Sequence, residues 1–200
     1  MLSSSCKVEF GVCPIDIRQT RQSGVLKMSR SLGQTIGDGL KLSVNYAEQL
    51  IQGVSPQSFG RLAAPGGQTI DSNHPAFIFG HLALYGPKIA GMAGGQAPIV
   101  PEGFEVVFAK GMKCVDDPDG SVYPPMHVIT ESFFAGYRSA EDAVTAATDE
   151  QLAQPNPLET MAEKFPTLGS MCNFMCSGHM LMHLGQLSTW RRMQGLGPSA

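Results

Sequence analysis

Apolar residues recur at intervals of three and four between Ser31 and Ile51, at Leu32, Ile36, Leu40, Val44, Ala47 and Ile51, which lines one face of an α-helix. Gly53 and Pro56 follow and predict its end. A second helical pattern runs from about His74 to Ala90, with Ser72 and Asn73 as cap residues and Pro75 suited to a first turn. Gly86-Pro87 is expected to kink or shorten it, because proline interrupts the hydrogen-bond ladder. Residues 94 to 125 carry GGQAP, DDPDG and YPP, the composition of a long crossover with at most a short helical or extended piece around Phe104 to Phe108. From Pro125 onward Ile129, Phe133, Tyr137, Ala140, Val144 and Ala147 resume the helical interval, stopping before Pro155 and Pro157. The last pattern begins near Thr167 and continues to Gly195, apolar almost all round, so a central position is expected for it. No alternating run of strand length competes with these helices. The expected class is all-α, a four-helix bundle with a long crossover connection between helices two and three.

Composition narrows the function classes. The 200 residues are 42% hydrophobic, enough for one core without a disulfide or metal staple. No run approaches the roughly 18 apolar residues of a membrane span, so no membrane partner is expected. Seventeen acidic residues against fourteen basic ones give a net charge of −3 with no basic stripe, which argues against nucleic acid as a partner. Five cysteines at irregular positions fit a reducing compartment better than a disulfide framework, and a cytoplasmic location is expected. Residues 1–27 lack the apolar core of an export signal and any helical pattern, so they are expected to form a disordered N-terminal extension. Met28 then stands as an alternative start of the folded domain, 28–200.

The candidate chemistry lies in HMLMHLGQLSTWRRMQGLG, residues 179 to 197. His179 and His183 are four apart, about 6 Å along a helix axis and about 40° around it, so both rings can share one ion. Taken alone the pair is a weak signal and reads more readily as two hydrogen-bonded core histidines. His81 strengthens the metal reading, because it sits in the apolar run of helix two, where an unpartnered imidazole costs desolvation. Three imidazoles would leave a fourth position open, as catalytic sites do. Cys172 and Cys176 share the helix face with the pair, but eleven residues rise about 16 Å and one ion with bonds of about 2.3 Å cannot touch all four. Cys176 alone stays possible as a fourth ligand. Gln186 is a candidate partner of a ligand or bound water, Trp190 a pocket border or plain core aromatic, and Arg191 a candidate for reaching an anionic group. His74 and His127 are expected at the surface or as caps, with His127 also able to approach the site. The DDPDG turn fails as a calcium loop, since Gly120 at the sixth position puts Val115 first and Met126 twelfth.

NHPAFIFGHL in an early helix, paired with this C-terminal segment, resembles the DinB-like superfamily over residues 28 to 198. The resemblance implies a four-helix bundle holding a divalent metal on His81, His179 and His183, with zinc or nickel foremost and iron a further choice. It implies a metal-dependent enzyme acting on a small molecule, with transfer of a low-molecular-weight thiol as one reaction open to it. The competing reading is a non-catalytic metal-binding bundle, a stress or interaction protein that pairs as a homodimer. Plainly packed histidines without metal are the third.

Overall fold

The computed structural model describes residues 29–198, so the expectations for residues 1–27 lie outside it. The described residues are all-helical and contain no strand; Pro155 and Thr167 form one isolated bridge. Nine α-helices follow in order: α1 Leu32–Ile51, α2 Pro56–Phe59, α3 Pro75–Ala83, α4 Gly86–Met92, α5 Phe104–Phe108, α6 Met126–Ala146, α7 Asp149–Leu152, α8 Leu168–Asn173 and α9 Met180–Met193. A π-helical turn, Phe174–His179, joins α8 to α9 without a break. No helix among the described residues is long and apolar enough to cross a membrane.

Local sequence explains the boundaries. Ser31 and Gln34 form a reciprocal capping box that starts α1, and Ile36, Leu40, Val44, Ala47 and Leu50 then face the core. Helix two is divided into α3 and α4 where Gly86-Pro87 intervenes. Its cap differs from expectation. His74, not Ser72 or Asn73, is the N-cap residue, its ring accepting the Phe77 N–H at 3.3 Å. Asn73 is thereby released to bond elsewhere.

α6 packs against α1, α3 and α4, while α9 packs against α1 and α3. The α4–α6 crossing needs two glycines, because a Cβ on Gly86 would stand 2.5 Å from the Gly136 backbone. That approach sets Tyr85 and Tyr137 on neighbouring segments. Arg191 ties the C-terminal helix to the end of α1, donating to the Leu50 carbonyl at 2.7 Å and to that of Gln52. A cation at a helix C-terminus is well placed, since the last carbonyls there lack intrahelical partners.

Candidate metal centre

The fold brings His81 of α3 against His179, which closes the π turn, and His183 of α9. One ligand atom from each lies within 4.8 Å of the other two. Ring centroids are 5.6 Å apart for His81–His179, 4.9 Å for His81–His183 and 4.8 Å for His179–His183. Tetrahedral coordination with bonds of about 2.0–2.1 Å spaces nitrogens about 3.4 Å apart, a closure that side-chain rotation supplies. No other His, Cys, Asp or Glu among the described residues joins the three.

Hydrogen bonds orient two of the rings. The Nδ1–H of His81 donates to the Phe108 carbonyl at 2.7 Å, which leaves Nε2 as the free lone pair. That carbonyl ends α5, where it has no partner inside the helix. The approach depends on Gly80, since a Cβ there would stand 2.4 Å from the Phe108 ring. Asn73 donates its amide to Gln186 Oε1 at 3.0 Å, fixing that oxygen as an acceptor. The contact of His183 Nδ1 with the same oxygen at 3.3 Å therefore makes Nδ1 the donor and again leaves Nε2 free. His179 is different: its Nδ1 is buried with no hydrogen-bond partner.

Electrostatics keep the rings neutral. Burial lowers the His179 pKa to about 4, with His183 and His81 adding to the shift. His183 is lowered by burial and by His81, and His81 by burial and by Lys88, against the raising effect of the Phe108 carbonyl. His81 and His179 are 7% and 8% exposed, so desolvation of a charged ring is the leading cause. Neutral, converging imidazoles with an orphaned buried nitrogen among them are the donor set a borderline divalent cation requires.

Aromatic rings wall the cluster. Phe77 stacks parallel to His81 at 6.2 Å, and Phe174 approaches His179 at 5.9 Å. Tyr85 meets His179 at 4.6 Å and His81 at 5.0 Å, both edge-on. Sequence reasoning missed Tyr85, although it follows His81 by four residues, one helical turn. The π turn was also invisible, since it leaves no mark in hydrophobic spacing; such turns often occur at functional sites. His183 is only partly buried, which gives the cluster a solvent side.

Of the other candidates, Gln186 joins the cluster as described, but Trp190 and Arg191 do not border it. Trp190 is fully buried, its indole N–H donating to the Arg61 carbonyl at 2.8 Å. Arg191 is also buried, and its two terminal nitrogens donate to the Leu50, Gln52 and Leu196 carbonyls while its Nε has no partner, so it serves as a tie between α9 and the end of α1. Cys176 is buried outside the gathered groups, its thiol pushed well up by burial. His127 is exposed at the start of α6 and lines a cavity of about 740 Å³ with Arg61, Asp117 and Tyr123, apart from the three histidines. His74 caps as expected but is wholly buried rather than at the surface.

Comparison with known proteins finds no family model that matches the chain, and no curated protein matches it.

Proposed function

We propose that the protein is a divalent-metal-dependent enzyme of the DinB-like kind, a four-helix bundle of α1, α3–α4, α6 and α8–α9 with residues 94 to 125 as its crossover. The observation that carries this reading is the meeting of three neutral imidazoles with no fourth protein ligand among the described residues. Structural zinc sites are closed by four protein ligands, whereas catalytic ones keep a position for water or substrate. A bound zinc, nickel or iron ion would supply Lewis acidity there, lowering the pKa of a water or a thiol.

The chain's own residues do the rest. Phe108 and Gln186 hold two rings in the tautomer that presents Nε2, which spares a change of tautomer on binding. Phe77, Phe174 and Tyr85 exclude water from the inner side and strengthen every charge interaction at the centre. No carboxylate gathers with the histidines, so a dication's charge stays uncompensated, which favours an anionic substrate atom such as a thiolate. Transfer of a low-molecular-weight thiol is the reaction class this fits.

The test is elemental analysis of purified wild-type protein beside His81→Ala, followed by a thiol-transfer screen on the metal-containing sample. One metal per wild-type chain, metal-free His81→Ala and metal-dependent turnover are expected. Equal metal in both proteins would overturn the ligand set, and stoichiometric metal without turnover across thiols and acceptors would favour the non-catalytic reading.

A further inference from the structure

His81 of α3, Tyr85 in the turn between α3 and α4, and Lys88 of α4 form a line that leads outward from the centre. Contacts connect each step. The Tyr85 ring touches His81 and His179, and the Lys88 ammonium lies over the same ring, 5.6 Å from its centroid. Lys88 is also close enough to lower the His81 pKa. It reaches the protein surface, half-exposed, where Glu105 of α5 meets it at 3.1 Å.

The geometry points to Lys88 as a second anchoring point for the substrate: the centre takes a small bifunctional molecule whose donor atom binds at the metal and whose carboxylate, or like anionic group, lies along Tyr85 to reach the Lys88 ammonium. This rests on the metal-centre reading above. Three features converge on it. The histidines bring no negative charge, so the donor end of a ligand is drawn in as an anion. Tyr85 offers an aromatic surface between the two anchoring points, of the kind that apolar linkers cover. The Lys88–Glu105 pair is solvent-exposed on both sides, 55% and 59%, and pairs of that kind hold only weakly, so an incoming carboxylate exchanges with Glu105 at little cost.

Protein loaded with cobalt(II) tests this, titrated with mercaptopropionate and with its neutral amide, mercaptopropionamide, while the thiolate-to-cobalt absorption is read. Both ligands share the thiol and the linker and differ in the charge at the far end. Wild type is expected to prefer the acid, and Lys88→Ala to reduce that preference about fivefold, the scale of a partly screened ion pair. Lys88→Arg should retain it and Glu105→Gln enlarge it, and added salt should shrink it. Lys88 is exposed, so its replacement leaves the core untouched. The same acid-over-amide ratio in wild type and Lys88→Ala would overturn the inference while leaving the metal centre standing. Failure of wild type to bind cobalt at all would overturn both.

Discussion

Two buried histidines seven residues apart, His74 and His81, show what separates a structural imidazole from a candidate ligand. His74 uses both nitrogens: Nδ1 accepts the Phe77 N–H, and Nε2–H donates to the Val115 carbonyl at 2.9 Å. Around it the 114–123 loop closes on itself. Asp117 accepts the N–H groups of Ser121, Val122 and Tyr123, and Asp116 takes two bonds from Arg61 and one from the Leu62 N–H. His81 has one such bond and keeps Nε2 uncommitted in a cluster where His179 Nδ1 also lacks a partner. Burial is common to both regions. What differs is whether both ring nitrogens are committed, and an uncommitted imidazole nitrogen in a buried cluster is one that a ligand can take.

The largest expected effect breaks this contrast at its root. His81→Ala should abolish stoichiometric metal binding, whereas His74→Ala should leave metal content unchanged while lowering stability by about 1–3 kcal/mol, because it strands the Phe77 N–H and Val115 C=O. Elemental analysis and urea unfolding of the two variants separate the roles. Gly80→Ala should do some of each. Its Cβ would press on the Phe108 ring, costing about 1–3 kcal/mol by overpacking and displacing the carbonyl that orients His81. A variant that unfolds normally and binds metal as wild type does would contradict that coupling.

Smaller effects sharpen the comparison. Gln186→Ala removes the acceptor of His183 Nδ1 and should weaken metal affinity about 10–100-fold with little change in unfolding of the metal-free chain, measurable by competition with a chromophoric chelator. Acid should act on both regions. His74, His81, His179 and His183 all titrate below the ordinary imidazole value of 6.5, so the unfolded chain binds more protons than the folded one beneath that value. Their contribution is therefore fully present above about pH 6.5 and lost as pH falls toward about 4, where His179 protonates. Added metal should raise the melting temperature at neutral pH, and that increment should fade over the same interval. A metal increment that persists undiminished at pH 4 would exclude imidazole ligation.

Much of this was legible in the spacing of apolar residues. α1 and α6 follow their periodicities to within a residue, and the helical piece at Phe104–Phe108 falls where the composition of residues 94 to 125 allows one. Periodicity was silent where tertiary contacts decide. It could not show that Asn73 leaves the helix cap to bond Gln186, nor that the segment 94–125 brings the Phe108 carbonyl to His81. Trp190 proves to be the core aromatic of the two alternatives open to it, and for it and Arg191 the limit is the same: helical angle places a side chain on a face, but the partners on that face, the Arg61 and Leu50 carbonyls, come from residues far away in the chain. The three histidines were legible because an imidazole amid Phe, Leu and Met carries a desolvation cost that the sequence itself exposes.

The most direct test of the central claim is X-ray absorption at the metal edge of zinc-loaded wild-type protein. Three imidazole nitrogens near 2.0–2.1 Å and one further light-atom ligand that exchanges with added thiol are expected. A sulfur scatterer near 2.3 Å before any thiol is added, or fewer than three imidazoles, would contradict a centre built from His81, His179 and His183.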